Sequence, residues 1–411
     1  DEGWKASPRG FNNGVVETLR VTLANGQSLR GTRNHKLKVI RENGRREWVE
    51  FDDLTTSDRV IQVLDQHTGA PVTLQPVDPP EGGAKLGLMP ERLTERVAFF
   101  LGYLWGDGFV APGRAGISVA HGSPMQTEAP RLFEELFGLS ASVEQGPDAG
   151  TVSYVADCPH LGAWLEANGL DKPGTREAAI PRAVRMSSRP VVGAFLRGLF
   201  EASGSLSRGV PQVSTASPLL AEDVATMLAG LGIPSKLTAS SGTHDRNASG
   251  KVHRLSVVSH KGLKRFVERV GFLEGSRLEA AEGAVPESVE QSWQLPHPAA
   301  APAESFRSVP VGTTGRPAVF SATRQATPGA TPGELRISVT CHGLRTSSHE
   351  ADQPEFGHDE YYVGVASVKP AGRALTLDLS VDENKTYLAG GFVTHNTRRG
   401  AGMATLAITH P

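Results

Sequence analysis

The consecutive residues Thr394, His395, Asn396 and Thr397 carry side chains that can break a peptide bond from within the chain. The Asn396 side-chain nitrogen can attack its own backbone carbonyl carbon, which closes a succinimide ring and releases the following residue. His395 can polarise that carbonyl or protonate the leaving amine. The Thr397 hydroxyl is a nucleophile that can accept an acyl group. Such a string is also common in solvated turns, so its meaning depends on the elements that position it.

The first 64 residues are rich in β-strand and hairpin signals. The strands and turns predicted here are Val15–Leu23, Asn25-Gly26, Lys36–Ile40, Asn43-Gly44 and Glu47–Phe51. Two Asn-Gly pairs between apolar stretches are strong hairpin signals, so they predict a β-rich module. A Pro- and Gly-rich connection follows, and we place the end of this first segment at residue 90.

Residues 91–283 have a different sequence pattern, in which apolar residues recur mostly with helical periodicity. This pattern predicts an α+β domain. The predicted helices are Arg92–Trp105, Thr127–Phe137, His160–Ala167, Val191–Ala202, Pro218–Leu231 and Lys261–Val270, and Lys251–Ser259 is a predicted strand. A repeat with a constant offset of 96 residues relates Gly102, Gly106, Asp107 and Gly108 to Gly198, Ala202, Ser203 and Gly204. Small residues four apart share one helical face, so the repeat predicts two closely packed helices.

Strand-like sequence patterns return near the C-terminal end. Residues 284–334 contain eight prolines and no lysine, which is typical of a flexible linker or a long loop. Strands are then predicted at Tyr361–Val368, Arg373–Val381 and Thr386–Val393, within a segment that spans 335–396. This order predicts one β domain that is interrupted by an α+β domain.

The C-terminal stretch around the Asn396 string closely resembles the last splicing blocks of inteins. The resemblance is carried by Leu377–Val381, Asn384–Gly391 and Phe392–Asn396, and Gly31–Leu37 is similar to the intein Thr-x-x-His block. It implies an all-β Hedgehog/intein-type splicing domain and an autoprocessing function without a cofactor.

The resemblance also implies a role for individual residues. Thr32 and His35 would hydrogen-bond and distort the upstream scissile amide, while Asn396 cyclises beside His395. Lys385 stands where many inteins have histidine, so Asp378 is expected to carry more of the catalytic support.

The middle domain resembles the LAGLIDADG homing endonucleases that are inserted in inteins. The two helix motifs are Phe100–Gly108 and Phe195–Gly204, and Ile180-Pro181 and Gly271–Leu273 match further intein blocks. This resemblance implies an α+β domain with a pseudo-two-fold repeat, Mg²⁺ as cofactor, and double-stranded DNA at the host-gene insertion site as partner.

In that family each motif helix ends with an acidic residue, and the two acids hold divalent metal at the scissile phosphates. Asp107 is therefore the expected metal ligand and catalytic acid of the first helix. The equivalent position in the second helix is Ser203, which cannot supply an anionic oxygen. Glu201 lies two residues earlier, rotated by about 200° on a helix. We therefore expect impaired DNA cleavage, with nicking as the residual activity.

Two features concern the flanks of the resemblance. Only 31 residues precede Thr32 and the chain starts with Asp1, so we expect this chain to lack the first intein block. The missing N-terminal segment is then an expected partner of this chain. Residues 397–411 follow the Asn and are similar to the large subunit of ribonucleotide reductase, of the adenosylcobalamin-dependent type. This downstream segment is too short to fold and would be host sequence.

A local basic run predicts where DNA would bind. The basic residues from 251 to 277 include Lys251, Arg254, Lys261, Lys264 and Arg265, in a chain whose formal net charge is −2. Such side chains could contact phosphates, although a solvated strand and helix face explains the charge equally well.

The overall composition excludes several other classes. The 42 basic and 44 acidic residues exclude a globally basic nucleic-acid binder. The longest apolar run, Val97–Trp105, is well short of the roughly 20 residues of a membrane span. Cys158 and Cys341 form no disulfide framework, so a cytoplasmic location is expected. The alternatives are a DNA-binding protein with structural β flanks and a reductase fragment.

Overall fold

Strands from before residue 64 and after residue 359 form one eight-stranded sheet, which we call the β module. The computed structural model describes residues 9–41, 44–79, 87–245, 248–284, 360–380 and 386–395. The strands of the β module are β1 (Arg9–Leu23), β2 (Ser28–Gly31), β3 (Lys36–Ile40), β4 (Arg46–Glu50), β5 (Arg59–Val63), β14 (Glu360–Ser380), β15 (Thr386–Ala389) and β16 (Phe392–His395). They lie in the order β15-β16-β3-β5-β14-β1-β2, with β4 paired to β3. Strands from distant parts of the sequence are interleaved, as an interrupted domain requires.

Both hairpins predicted from Asn-Gly pairs are present. Gly26 and Gly44 have φ values of 83° and 79°, a region that glycine adopts without a steric cost. The first turn pairs β1 with β2, and the second pairs β3 with β4, each antiparallel. The short sequence signal therefore determines both turns.

The two strands predicted over 361–381 are one continuous strand, β14, so that part of the prediction is wrong. It pairs antiparallel with β1 along most of its length, with register shifts where β1 bulges. Pro370, which lies between the two predicted strands, is opposite Leu19 in the ladder. Gly372, with φ 71°, lies where the register shifts between Glu17 and Leu19 of β1. Its carbonyl accepts a hydrogen bond from Thr18 Oγ1 at 2.7 Å.

The remaining described residues form an α+β module made of two similar halves. Its elements in chain order are α1 (Glu95–Asp107), β6 (Gly108–Ala111), β7 (Arg114–Ala120), α2 (Met125–Phe137), β8 (Ser142–Gln145), β9 (Thr151–Asp157), α3 (Pro159–Ala167), α4 (Arg182–Arg185), α5 (Arg189–Ser203), β10 (Gly204–Ser207), β11 (Val210–Thr215), α6 (Pro218–Gly230), β12 (Ser235–Asp245), β13 (Ala248–Val257), α7 (His260–Arg269) and α8 (Gly275–Glu282). The first sheet has the order β6-β7-β9-β8 and the second has the order β10-β11-β13-β12. Each half thus repeats helix, hairpin, helix, hairpin, as the pseudo-two-fold repeat predicts.

Aromatic side chains fill the core of each half. Phe100 of α1 packs edge-to-face on Phe133 and Phe137 of α2, with ring centroids 5.3 Å and 5.1 Å away. In the second half, Phe200 of α5 packs on Phe266 of α7 at 4.9 Å. Both halves share one hydrophobic core because α1 and α5 pack against each other. No helix among the described residues is long and apolar enough to cross a membrane.

The connection after β5 attaches the β module to the α+β module. Leu74 is buried in the α+β core, and Thr73 forms a bridge with Arg92. The His67 ring nitrogen lies 2.6 Å from the Ser187 carbonyl oxygen. On the other side, the Leu237 amide at the start of β12 donates to the Asn25 carbonyl.

Candidate functional site

The first candidate site lies where α1 and α5 end side by side. Asp107 is the last residue of α1 and Ser203 is the last residue of α5, and each helix is followed directly by a strand. A Cβ placed on Gly106 would lie 2.8 Å from the Ser203 hydroxyl, so the two helix ends are in contact. Asp107 is exposed at this end. The predicted correspondence of Asp107 with Ser203 therefore holds in three dimensions.

Glu201 does not supply the missing second carboxylate. It is buried, its Oε2 accepts a hydrogen bond from the Leu273 amide at 2.9 Å, and its Oε1 lies 3.4 Å from Arg277 Nη1. Arg277 also donates to the carbonyls of Phe200 and Gly204. Glu201 is thus a structural group that attaches the segment after α7 to α5.

A lysine that the sequence analysis missed lies beside Asp107. Lys172 Nζ donates to the Gly108 carbonyl at 2.7 Å and lies 3.4 Å from the Gly106 carbonyl. Burial lowers the pKa of Lys172 to about 8, although the charge of Asp107 opposes this shift. Lys172 and Ser203 both line a small cavity of about 30 Å³. Lys172 lies outside the predicted helices, so nothing in the local sequence indicated its burial.

These residues do not fit the two-carboxylate metal site that the resemblance implies. Asp107 contributes one carboxylate, Ser203 contributes a neutral hydroxyl, and Lys172 brings a positive charge to the same place. Among the described residues, no group of three or more His, Cys, Asp or Glu side chains could hold a metal ion. Mg²⁺ usually needs one or two carboxylates together with substrate phosphates, so this helix end retains only part of such a site.

The second sheet has one polar face that suits a nucleic-acid backbone. Arg254 of β13 lies opposite Ser214 of β11 and Thr238 of β12, and Lys236 lies opposite Ser256. Lys236 and Arg254 are exposed. Neighbouring residues such as Leu255 are buried, as strand alternation requires. This face combines two cations with hydroxyl groups, and sequence analysis had found only Arg254.

The other four predicted DNA-binding residues do not share this face. Strand alternation places Lys251 on the opposite side of β13 from Arg254. Lys261, Lys264 and Arg265 belong to α7, which buries Leu263 and Phe266 in the core on the apolar side of the sheet. Of these α7 residues, Lys264 pairs with Glu268 and Arg265 donates to the Gly232 carbonyl. The predicted cluster is therefore divided because charge counting ignores which face a residue occupies.

The polar face of the first sheet differs from that of the second sheet because carboxylates neutralise the charge of Arg114. Arg114 of β7 forms ion pairs with Glu144 of β8 at 2.6 Å and with Asp157 of β9 at 3.2 Å. Two carboxylates around one guanidinium leave a local excess of negative charge. The two halves thus have the same topology but opposite electrostatic character.

The second candidate site lies in the β module, at the end of β16. His395 is opposite Thr386 of β15 and Lys36 of β3, so β16 is held between two neighbours. Asn396 and Thr397 lie outside the described residues. Asp378 lies on β14 with its backbone opposite Phe11, and its side chain is also outside the described part.

Thr32 and His35 lie in the turn just before β3, which is paired with the strand that carries His395. The His35 amide donates to the Thr32 carbonyl at 3.0 Å, which closes a turn over the Thr-x-x-His sequence. His35 is fully buried between Phe51 and Tyr387, with ring centroids at 5.1 Å and 6.3 Å. Among the described residues, neither ring nitrogen of His35 nor the Thr32 hydroxyl has a hydrogen-bond partner. Buried polar groups are usually paired, so this cluster is suited to a polar group of a reacting segment.

The electrostatics keep His35 uncharged at neutral pH. Burial, together with the nearby His395, lowers the pKa of His35 from 6.5 to about 4. A neutral imidazole has one donor and one acceptor nitrogen. It can therefore hydrogen-bond to an amide without carrying a charge into the core.

Part of the chain matches a known family. Residues 190–271 match the family model described as a LAGLIDADG-like domain. This range contains all of α5 except Arg189, together with α6, α7 and the whole second sheet. The LAGLIDADG-like α+β fold that was predicted from the sequence is therefore confirmed for this half.

The chain is also similar to several curated proteins over most of its length. It is 22% identical to the replicative DNA helicase DnaB of Rhodothermus marinus, over 98% of this chain and 42% of that protein. It is 25% identical to a DNA gyrase subunit of Mycolicibacterium flavescens, over 94% of this chain and 67% of that protein. It is 22% identical to the replication factor C small subunit of Methanocaldococcus jannaschii, over 63% of this chain and 13% of that protein. The chain thus spans less than half of the helicase and a small part of the replication factor.

Solved structures with similarity to this chain include a homing endonuclease. I-DmoI in complex with DNA and Mn is 18% identical and covers 44% of this chain and 97% of its own, with a TM-score of 0.32. Full-length DUF199/WhiA from Thermatoga maritima is 16% identical and covers 48% of this chain and 63% of its own, with a TM-score of 0.33.

Proposed function

We propose that this chain is an intein: an autoprocessing splicing element that carries a LAGLIDADG-like DNA-binding domain with impaired cleavage. The observation that carries the proposal is the buried Thr32 and His35 cluster beside the strand that ends at His395. Residues about 360 positions apart in the sequence are brought together there, directly before Asn396. A purely structural β module gives no reason to bury three unpartnered polar atoms at this point.

The relatives support an inserted element. Two proteins with different names, a DNA helicase and a DNA gyrase component, each contain a segment that aligns with 94% or more of this chain. The activities of the two proteins differ, so a shared activity does not explain the common segment. An element inserted in different host chains would explain the segment, and a LAGLIDADG-like α+β domain is consistent with such an element.

The chemical step uses only groups of the chain. The Asn396 side-chain nitrogen attacks the Asn396 carbonyl carbon and forms a C–N bond, while the bond to the Thr397 nitrogen breaks. One amide proton passes to the leaving amine, and His395 is the adjacent group that can carry it. In complete splicing, the Thr397 hydroxyl would accept the upstream acyl group. Thr32 and His35 would act on the upstream scissile amide, with Asp378 in support.

The α+β module would bind double-stranded DNA through the polar face of the second sheet. Lys236 and Arg254 are exposed on this face and would contact phosphates. With Asp107 as the one carboxylate at the helix end, double-strand cleavage would be weak. For the host we propose an adenosylcobalamin-dependent ribonucleotide reductase, a proposal that rests on residues 397–411 alone.

The intact mass of the purified chain tests the proposal. We expect slow loss of the 397–411 peptide from the wild type, leaving a chain that ends at Asn396 in succinimide or hydrolysed form. Asn396→Ala should stop the release, whereas Asn247→Ala, a matched change between β12 and β13, should not affect it. A wild-type chain that keeps its full mass favours the alternative, a DNA-binding protein with structural β flanks. Release from Asn396→Ala at the wild-type rate would indicate a contaminating protease.

A further inference from the structure

An aromatic residue on β4 contacts the histidine before the proposed cleavage point. Strand β3 lies between β4 and β16, with Trp48 opposite Lys38 and His395 opposite Lys36. Residues directly opposite or two apart on neighbouring strands share a face. The Trp48 indole can therefore reach across β3 to the His395 ring.

The geometry of this contact is specific. The ring centroids of Trp48 and His395 are 4.9 Å apart and their planes meet at 67°, an edge-to-face arrangement. Lys38 Nζ lies 4.7 Å from the centroid of the Trp48 ring, within the range of a cation–π contact. One side chain thus holds the indole while the indole contacts the imidazole.

Core packing does not explain the position of Trp48. The buried core of the β module among the described residues includes Val49, the next residue along the chain, and Phe51, but not Trp48 itself. Trp48 is half-buried on the other face of β4. Its described aromatic and cationic neighbours are His395 and Lys38.

We propose that Trp48, held by Lys38, is a positioning residue that fixes the orientation of the ring of His395, the residue that precedes Asn396 in the sequence. This inference rests on the proposed function. A histidine at the end of a strand has free rotation about its side-chain bonds unless a neighbour restricts it. Proton transfer to a leaving amine depends on ring orientation, and a misplacement of about 1 Å can slow a reaction by about a hundredfold.

Cleavage rates of matched variants test the positioning role. Trp48→Leu keeps an apolar side chain without an aromatic edge, and we expect it to release the 397–411 peptide about tenfold more slowly. Trp48→Phe keeps the aromatic contact and should restore the rate to within about threefold of wild type. Lys38→Met should give an intermediate rate, and Lys369→Met, a matched change at an exposed position of β14, should match the wild type. Equal urea midpoints would show that the differences do not come from stability.

A second measurement is independent of cleavage. In the non-cleaving Asn396→Ala chain, the ring protons of His395 should show a ring-current NMR shift that Trp48→Leu removes and Trp48→Phe partly keeps. Equal cleavage by Trp48→Leu and wild type, or an unchanged His395 shift, would overturn the positioning role. If the wild type does not cleave at all, the proposed splicing function is wrong, and the positioning role of Trp48 is wrong with it. The NMR shift of His395 still reports whether Trp48 contacts His395. Failure of the splicing function can therefore be distinguished from absence of the Trp48–His395 contact.

Discussion

Gly102 of α1 and Gly198 of α5 each lie against the backbone of the other helix, where α1 and α5 pack together. A Cβ on Gly102 would lie 1.9 Å from the Phe195 carbonyl oxygen, and a Cβ on Gly198 would lie 2.1 Å from the Phe99 carbonyl oxygen. The contacts are reciprocal, as the pseudo-two-fold repeat requires. Backbone atoms, which cannot move aside easily, form both contacts, so glycine is required at both positions.

Substitution at this crossing should destabilise the α+β module. We expect Gly198→Ala to lower the free energy of unfolding by about 1–3 kcal/mol because the helices must separate to admit a methyl group. Gly150→Ala is the control, since a Cβ there meets nothing within 4 Å. Urea unfolding followed by circular dichroism measures both. Equal stability of Gly198→Ala and wild type would mean that the helices are not packed this closely.

The buried His35 should make the stability of the β module depend on pH. Above pH 6.5 the ring is neutral in both the folded and unfolded states. Between pH 6.5 and about 4 the unfolded state binds a proton that the folded state excludes. The free energy of unfolding should therefore fall by about 3 kcal/mol as the pH decreases through this window.

The measurement compares wild type with His35→Gln in urea at pH 8, 5.5 and 4. Below about pH 4, protonation of His35 should cause no further loss, because both states then bind the proton. The free energy of unfolding of His35→Gln should lack this part of the pH dependence. The difference in unfolding free energy between wild type and variant should therefore become smaller as the pH falls. A constant difference across the three pH values contradicts the buried, neutral His35.

The helix ends and the helix crossing could be predicted because the sequence repeats the same motif in both helices. The constant offset of 96 residues already paired Gly102 with Gly198 and Asp107 with Ser203. Spacing on one helix also indicated that Glu201 turns away from Asp107, and its contacts with Arg277 and Leu273 agree.

Features that depend on partners distant in sequence could not be predicted. The continuity of β14 through Pro370 depends on its register with β1, some 350 residues earlier. The position of Lys172 beside Asp107 depends on tertiary packing, because nothing in its local sequence indicates burial. The separation of Lys251 from Arg254 is a different case, because alternation along the predicted strand Lys251–Ser259 already implies it and only the count of charges ignores it.

Restoring the second carboxylate should restore cleavage. With Mg²⁺ and a plasmid that carries the uninterrupted coding sequence of the proposed reductase host, we expect the wild type to give at most nicked product. Ser203→Asp should increase double-strand cleavage because two anionic side chains would then face the metal. Glu201→Gln should leave the cleavage pattern unchanged, since Glu201 is held by Arg277. Efficient cutting by the wild type would show that one carboxylate is sufficient here.

An ion-pair cluster joins the two modules and should contribute to stability. Arg269 Nη1 donates to Asp65 Oδ1 at 2.6 Å, and Arg189 also pairs with this carboxylate. Burial raises the pKa of Asp65, but Arg269 and Arg189 outweigh burial and hold the pKa below its usual value of 3.8. The stabilisation should be present above about pH 4 and should be lost as the pH falls further.

Asp65→Asn tests this cluster at neutral pH. We expect the free energy of unfolding to fall by about 1–3 kcal/mol because two partly buried guanidinium groups lose their carboxylate. Asp52→Asn is the matched control, because the Arg33–Asp52 pair is about half exposed and should contribute about 0–1 kcal/mol. Equal effects of the two variants would show that the cluster is no more than a surface pair.

The polar face of the second sheet should account for most of the DNA affinity. We expect Arg254→Ala and Lys236→Ala each to weaken binding to double-stranded DNA and to reduce the slope of log K against log salt by about 1, as loss of one phosphate contact requires. Lys264→Ala removes the same charge from α7, where Lys264 pairs with Glu268, and should change neither quantity. Titrations of labelled DNA at several salt concentrations give both numbers. A loss on Lys264→Ala as large as that on Arg254→Ala would place the interface on α7 and would restore the assignment made from charge alone.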